Sequence, residues 1–519
     1  MASDIRIPCS HKTISYTPSP HANDIGYRQP TKKQRLDACK PSPSPSSPPS
    51  SSSEEIPIPP TRHDIKNFPA PLILPGDDLS LDPEYPPQSF QEWYDEEDRN
   101  PVTEERRTIY VVASPGVGRG VEFMKNWSAP QVQGRLEMTG TSLPVPEMEM
   151  EMEIEMEDVV AYLRAFFHGL EVKELHLPTW SFTPWTEEPP KQASKRPRKQ
   201  PKKKQQTDPT FIALSTCTES IRIRTRPSPP DPQSQSLPIY THQLNLDDLL
   251  DVVISILPSN AYALCMLVSQ DLYEDDDDLF VCGRAYGGSR VAVVSTARYR
   301  PSLDGVLGIQ RGHAWPGSHC SEYFEEVFRD GDADADAGAD SDADQGSKRQ
   351  KKRKTKPVST RRTGATSSNK RTDGPLDAAL ALSISLTNPN PPSPSHSHSH
   401  SHSHSHSHSQ PPHRQESLLW LYRTLRTTTH ELSHCLGLDH CIYYACIMQG
   451  SASLPEDARQ PPYLCPVDLA KLLAATGGDV GGRDRALVGF CESERVREGR
   501  EWRVLGAWLR RSLEGYVSG

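Results

Sequence analysis

The chain has 519 residues, of which 50 are proline and only 34% are hydrophobic, so its length overstates what can pack around a core. One medium-sized folded domain is expected rather than three. The formal charge of −10 is mild and hides opposed local blocks, which leaves no global case for nucleic-acid binding.

Residues 1–61 read as a disordered tail, because serine and proline dominate it, most densely over 41–53. Such a composition buries too little apolar surface to offset the entropy of ordering. Lys32-Lys33-Gln34-Arg35 within it is a small basic cluster, either solvated or read by a nuclear-import receptor. The first residues lack the apolar run of a signal peptide, and no stretch reaches the length of a membrane span. An intracellular protein, cytoplasmic and/or nuclear, is expected. The 11 cysteines agree: they are mostly scattered, and the clustered ones have metal spacing rather than that of a disulfide framework.

From Asp64 the composition changes, and Phe68, Leu72, Ile73, Leu74, Phe90, Trp93 and Tyr94 supply anchors that a tail does not need. Thr108–Ala113 predicts the first buried strand, closed by Ser114-Pro115-Gly116. Residues 147–158 alternate Glu with Met or Ile so regularly that a low-complexity insertion is expected. It runs into an apolar-faced helix over 159–167, ending near Gly169, and then a short strand over 170–177. A second insertion near 186–208 carries the basic runs 195–199 and 202–204. No aromatic platform accompanies them, so a solvated loop or an import signal is expected and nucleic acid is not.

The block 210–328 is the best globular sequence so far. Asp247 and Asp248 lead a helix through Leu249, Leu250, Val253 and Ile254, stopped by Pro258. Strands are predicted over 263–268, 279–283 and 291–295, the last two joined through Gly287-Gly288. Cys265, Cys282 and Cys320 read as core thiols, and His313 and His319 as structural or loop histidines. The third insertion, 329–415, holds an acidic run, the basic patch Lys351–Lys354 and a Ser/His alternation. None of these can build a core, so it is expected to loop out over the surface.

Residues 430–450 carry the strongest signal. Leu418, Leu421, Tyr422, Leu425, Leu432 and Leu436 recur at helical spacing, so His430 and His434 stand one turn apart on one helical face. Both imidazoles can reach one ion. Glu431 is turned away from that face and is better placed to take a proton from an activated water than to bind metal. Gly437 can adopt a left-handed conformation that ends the helix and returns His440 as a third ligand. Three protein ligands with an open fourth position describe a catalytic zinc. After the motif, Pro466 opens a helix, and residues 485–516 form a terminal amphipathic helix or helix pair.

The long histidine motif with Met448 downstream resembles the metzincins, and Cys441, Cys446 and Cys465 make the chain similar to the archaemetzincins in particular. The resemblance covers roughly 62–515. It implies an α/β fold: a metzincin-like zinc peptidase domain with a twisted mixed sheet, an active-site helix and C-terminal helices. A disordered N-terminal tail and insertions would complete the chain. It also implies Zn2+-dependent peptide hydrolysis, aminopeptidase-like in one form, with Glu431 as general base and Met448 as support under the metal. A second, structural zinc is implied on four cysteines. This chain has Asp468 where the pattern asks for the fourth, so the set would be Cys441, Cys446, Cys465 and Asp468. The alternative is that Asp468 caps the following helix. A peptide or protein substrate is implied and no membrane. The alternative function is a catalytically weak or inactive, zinc-stabilised interaction protein.

Overall fold

The computed structural model describes residues 9, 11, 13–41, 68–131, 153–186, 210–216, 218–230, 238–324, 327, 374–387 and 412–517. The basic runs 195–204 and 351–354 and the Ser/His tract lie outside the described residues, as does most of the three insertions.

The architecture is mixed α/β, with two sheets. The first contains β1 (Thr108–Val112), β3 (Glu171–Glu174), β8 (Ala261–Val268), β10 (Gly283–Tyr286) and β11 (Val291–Ser295). The second contains β2 (Gly116–Val117), β4 (Ser181–Pro184), β5 (Phe211–Ser215), β6 (Ser220–Pro227), β7 (His242–Asn245) and β9 (Asp271–Tyr273). The first sheet runs in the order β10-β11-β8-β1-β3, all parallel except the edge strand β10, which is antiparallel to β11. β8 is apolar throughout and buried along its whole length, as a strand covered on both faces must be.

Period-two alternation divides that sheet between two cores. Ala263, Cys265, Leu267, Ala292 and Val294 enter one, beneath helices Met156–Phe166, Pro412–Cys435, Val480–Glu492 and Arg500–Val517. Leu264, Met266, Val268, Val291 and Val293 enter the other, beneath helix Leu246–Ser255 and the second sheet. Among the described residues no helix is long and apolar enough to cross a membrane.

Five expectations are corrected. Residues 13–41 are not a bare tail: Ala22 and Tyr27 pack with Ile73, Leu79 and Ile442, and Ala38 and Cys39 join the main core. Thr31 and Gln34 form a capping box on helix Lys32–Asp37, and Arg35 is buried over the Tyr444 ring at 5.1 Å. A few anchors and caps suffice, and the Ser/Pro average conceals them. Next, the helix expected from residue 159 begins at Met156, inside the Glu/Met repeat, and Asp158 is buried. Within the third insertion, helix Pro375–Thr387 buries Leu376, Ala379 and Leu380 against helix Arg500–Val517. Flanking charge runs had masked that short apolar stretch. Fourth, the strand expected over 279–283 lies at 283–286, and Val281 makes only an isolated bridge to Leu272. Tyr94, expected as an anchor, is 57% exposed.

Candidate metal centre

From Leu418 onward the long helix Pro412–Cys435 is buried on nearly every side, with Leu418, Leu421, Leu425 and Leu432 as its apolar stripe, and it ends at the centre. His430 and His434 bring their Nε2 atoms to 3.0 Å from one another. Each ring donates its Nδ1–H to a backbone carbonyl, His430 to Ile447 and His434 to Leu438, both at 2.7 Å. Those carbonyls can only accept, so both Nε2 atoms carry lone pairs. Two lone pairs this close repel unless a cation lies between them. A metal ion fits that observation.

Gly437 makes the turn, with φ +80°. An added Cβ would also strike Arg99 Cγ at 2.9 Å. Leu438 N–H then returns to Ser433 O at 3.2 Å, and His440 swings back to face the helix. Its ring centroid lies 5.3 Å from that of His430 and 5.1 Å from that of His434. One ring nitrogen from each histidine lies within 4.8 Å of the others, within reach of ~2.0 Å Zn–N bonds to one ion. Burial, with neighbouring imidazoles, pushes His430 well down and His434 down to about 4, so both stay neutral ligands.

Glu431 faces a cleft of about 550 Å³, lined also by His430, His440, Arg284, Tyr299 and Gln449. Burial pushes its carboxyl up to about 8, against the pull of the Arg284 guanidinium and the Ala285 N–H. The edge strand β10 forms one wall, with Gly283 and Arg284 on the cleft. At the hairpin tip Gly287 lets the backbone come close to the helix end, since a Cβ there would fall 2.8 Å from His434 O.

Behind the cleft, Cys441, Cys446, Cys465 and Asp468 are all buried with their ligand atoms within 4.8 Å of one another. Cys441 Sγ and Cys465 Sγ are 3.6 Å apart, and Asp468 Oδ2 lies 3.3 Å from Cys446 Sγ and 3.2 Å from Cys465 Sγ. The other oxygen, Oδ1, accepts from the buried Lys471 ammonium at 3.0 Å. Three thiols and one carboxylate oxygen, closed in on all sides, suit a tetrahedral zinc. The capping alternative fails locally, because helix Pro466–Thr476 has Cys465 as N-cap and no side-chain cap bond. Met448 is fully buried in the main core, and its carbonyl accepts Cys441 N–H at 2.8 Å.

Sequence reasoning missed the groups that surround the third histidine. Tyr85 donates to Asp439 Oδ1 at 2.6 Å, and that oxygen accepts His440 N–H at 2.8 Å. Asp78 and Asp439 both favour charge on His440, although burial outweighs them and lowers it. Asp78 and Tyr85 stand some 350 residues before the motif, so no local spacing signals them.

Sheet, helix and turn together define an α/β domain in which three histidines converge beside an antiparallel edge strand. Residues 405–473 match the model of "Peptidase family M54". Archaemetzincin-2 of Mus musculus is 46% identical over 78 residues, 15% of this chain and 22% of that protein. Human archaemetzincin-2 is 46% identical over 74 residues, 14% of this chain and 21% of its own length. Human archaemetzincin-1 is 36% identical over 94 residues, 18% and 16% respectively. The chain thus matches about a fifth of the length of these curated relatives. A crystal structure of archaemetzincin from Methanopyrus kandleri aligns with 71% of this chain and 95% of its own at 14% identity and a TM-score of 0.26. The chain resembles the archaemetzincins through the segment that holds the centre.

Proposed function

We propose that this protein is an archaemetzincin-type zinc peptidase that hydrolyses peptide bonds in a peptide or protein laid along the cleft. The carrying observation is the pair of Nε2 atoms 3.0 Å apart, both committed to lone pairs by their Nδ1–H bonds. His430, His434 and His440 would hold the zinc, which would supply Lewis-acid polarisation of the scissile carbonyl and lower the pKa of water toward about 7. Glu431 is the general base: it takes the proton of the attacking water and passes it to the leaving amine. Arg284 and the Ala285 N–H favour the ionised carboxylate against its burial, and the positive charge of a zinc on the three histidines would favour it further, as a base requires. The free side of β10 offers backbone groups to an extended substrate. Cys441, Cys446, Cys465 and Asp468 hold a second zinc, closed to substrate, which ties the loop after His440 to helix Pro466–Thr476.

The test joins zinc content to digestion of an unbiased peptide library, which also reports whether cleavage begins at the amino terminus. Glu431→Gln is expected to keep its zinc and to lose about 10²–10⁴ of the wild-type rate. Equal rates would remove Glu431 from the mechanism. A fully metallated wild type that cleaves no peptide would replace the peptidase reading with that of a zinc-stabilised interaction protein.

A further inference from the structure

On the side of the molecule where the N-terminal segment meets the loop 311–321, four metal-ligating side chains converge that neither centre above uses. We propose that Cys9, His11, His313 and Cys320 form a third metal site, a closed Cys2His2 set for zinc that staples the N-terminal segment to this loop. One ligand atom from each lies within 4.8 Å of the other three, and Cys9 Sγ is 3.3 Å from Cys320 Sγ. Cys320 is buried and the other three are half-buried. Both cysteines are free thiols.

The histidines carry the inference further than the thiols. His11 Nδ1 and His313 Nε2 are each shut off from solvent without a hydrogen-bond partner. Buried polar atoms are rarely left so, and each such atom calls for an explanation. His313 donates its Nδ1–H to Gln310 Oε1 at 2.8 Å, which leaves Nε2 as a lone pair, the arrangement seen in metal-bound histidine. His11 has φ +48°, a left-handed conformation uncommon for a side-chain-bearing residue. Its ring meets that of His313 at 5.3 Å and 69°. The loop closes tightly here, since a Cβ on Gly317 would lie 2.3 Å from Gly312 O and 3.3 Å from His11 Cε1.

Two thiolates and two imidazoles are a donor set that zinc closes tetrahedrally, with no position left for substrate, so the role is structural. Binding displaces the thiol protons to solvent. The backbone is already in register for a staple: Ser15 N–H bonds His319 O at 2.7 Å, and Ser321 N–H bonds Thr13 O at 2.8 Å. From the same loop, Trp315 N–H bonds Ala458 O at 3.1 Å, in the helix Leu454–Arg459 whose Leu454 and Asp457 line the cleft. The staple therefore bears on a wall of the candidate active site. A Cys9–Cys320 disulfide is the rival, and it leaves both orphaned imidazole nitrogens unexplained.

The experiment compares zinc content of the full-length protein with that of Cys9→Ser, His11→Gln and His313→Gln. Each variant is expected to bind one zinc equivalent fewer than wild type. In wild type, a chelator should expose Cys9 and Cys320 to iodoacetamide, a readout that depends on no variant folding. Equal zinc in all four proteins would overturn the site, as would chelator-independent labelling. Recovery of a peptide pair linked through Cys9 and Cys320 from the zinc-loaded protein would overturn it too. None of these readouts depends on peptide hydrolysis, so they stand apart from the fate of the peptidase reading.

Discussion

Gly450 has no room for a side chain: a Cβ there would fall 2.0 Å from Asp78 Oδ2 and 3.0 Å from His440 Nδ1. Gly450→Ala should therefore displace His440 and lower zinc occupancy and peptide turnover together. Zinc titration alongside rate measurement checks this, and unchanged values would mean that Asp78 yields instead. Asp468 needs similar care. By spacing alone, Asp468→Cys completes a four-sulfur set and should tighten the site. The structure adds Lys471, a buried ammonium that relies on Asp468 Oδ1 and Gln88 Oε1. A thiolate keeps the charge but gives up that charge-assisted bond, at a cost of about 1.5–3 kcal/mol. We expect Asp468→Cys to retain its metal and melt at a lower temperature, with Lys471→Met in the same chain recovering part of the loss. The spacing of His430, His434 and His440 was legible because helix geometry is local. Asp78, Tyr85 and Lys471 were not, because each meets the centre only through tertiary packing.

Elements were legible where period and composition agreed. The unbroken apolar run of β8 announced a strand buried on two faces. β10 was displaced by a few residues because Leu279, Phe280 and Val281 look like strand, while Gly283 and Arg284 do not. Helix Pro375–Thr387 was lost in the average of its surroundings, and a deletion across the whole third insertion would now remove part of the core. The short helix Leu454–Arg459 carries a pH dependence. Glu456 is buried there, accepting N–H from Ala452 at 2.7 Å and Asp78 at 3.0 Å. Burial, with Asp77 nearby, pushes its carboxyl up to about 8 from an ordinary value of 4.5. The native state thus holds this proton more tightly than the unfolded chain does. Its stabilising contribution is full below about 4.5 and is lost as pH rises toward about 8. Glu456→Gln removes this titration. The variant's melting temperature relative to wild type should climb from pH 5 to pH 8, and a constant difference across that range would refute the assignment.

At the scale of the whole molecule, the N-terminal segment is part of the domain rather than an appendage. Tyr27 is 2% exposed, and its hydroxyl donates to Ile442 O at 2.8 Å, inside the loop that carries Cys441 and Cys446. Tyr27→Ala should cost about 3–5 kcal/mol, as for other buried aromatic truncations, read as a lowered urea midpoint. A shift near zero would return residues 13–41 to the status of a solvated tail. The two partners of that bond are separated by 415 positions along the chain. At ribosomal speeds of about 5–20 residues per second, Tyr27 leaves the exit tunnel ~20–80 s before Ile442 is made. Until then Ala22, Tyr27, Ala38 and Cys39 have nothing from the histidine segment to cover, and the histidine segment has no cover waiting in place. The domain is therefore completed by a late joining of its two ends, and the interval before it is when a chaperone has most to shield.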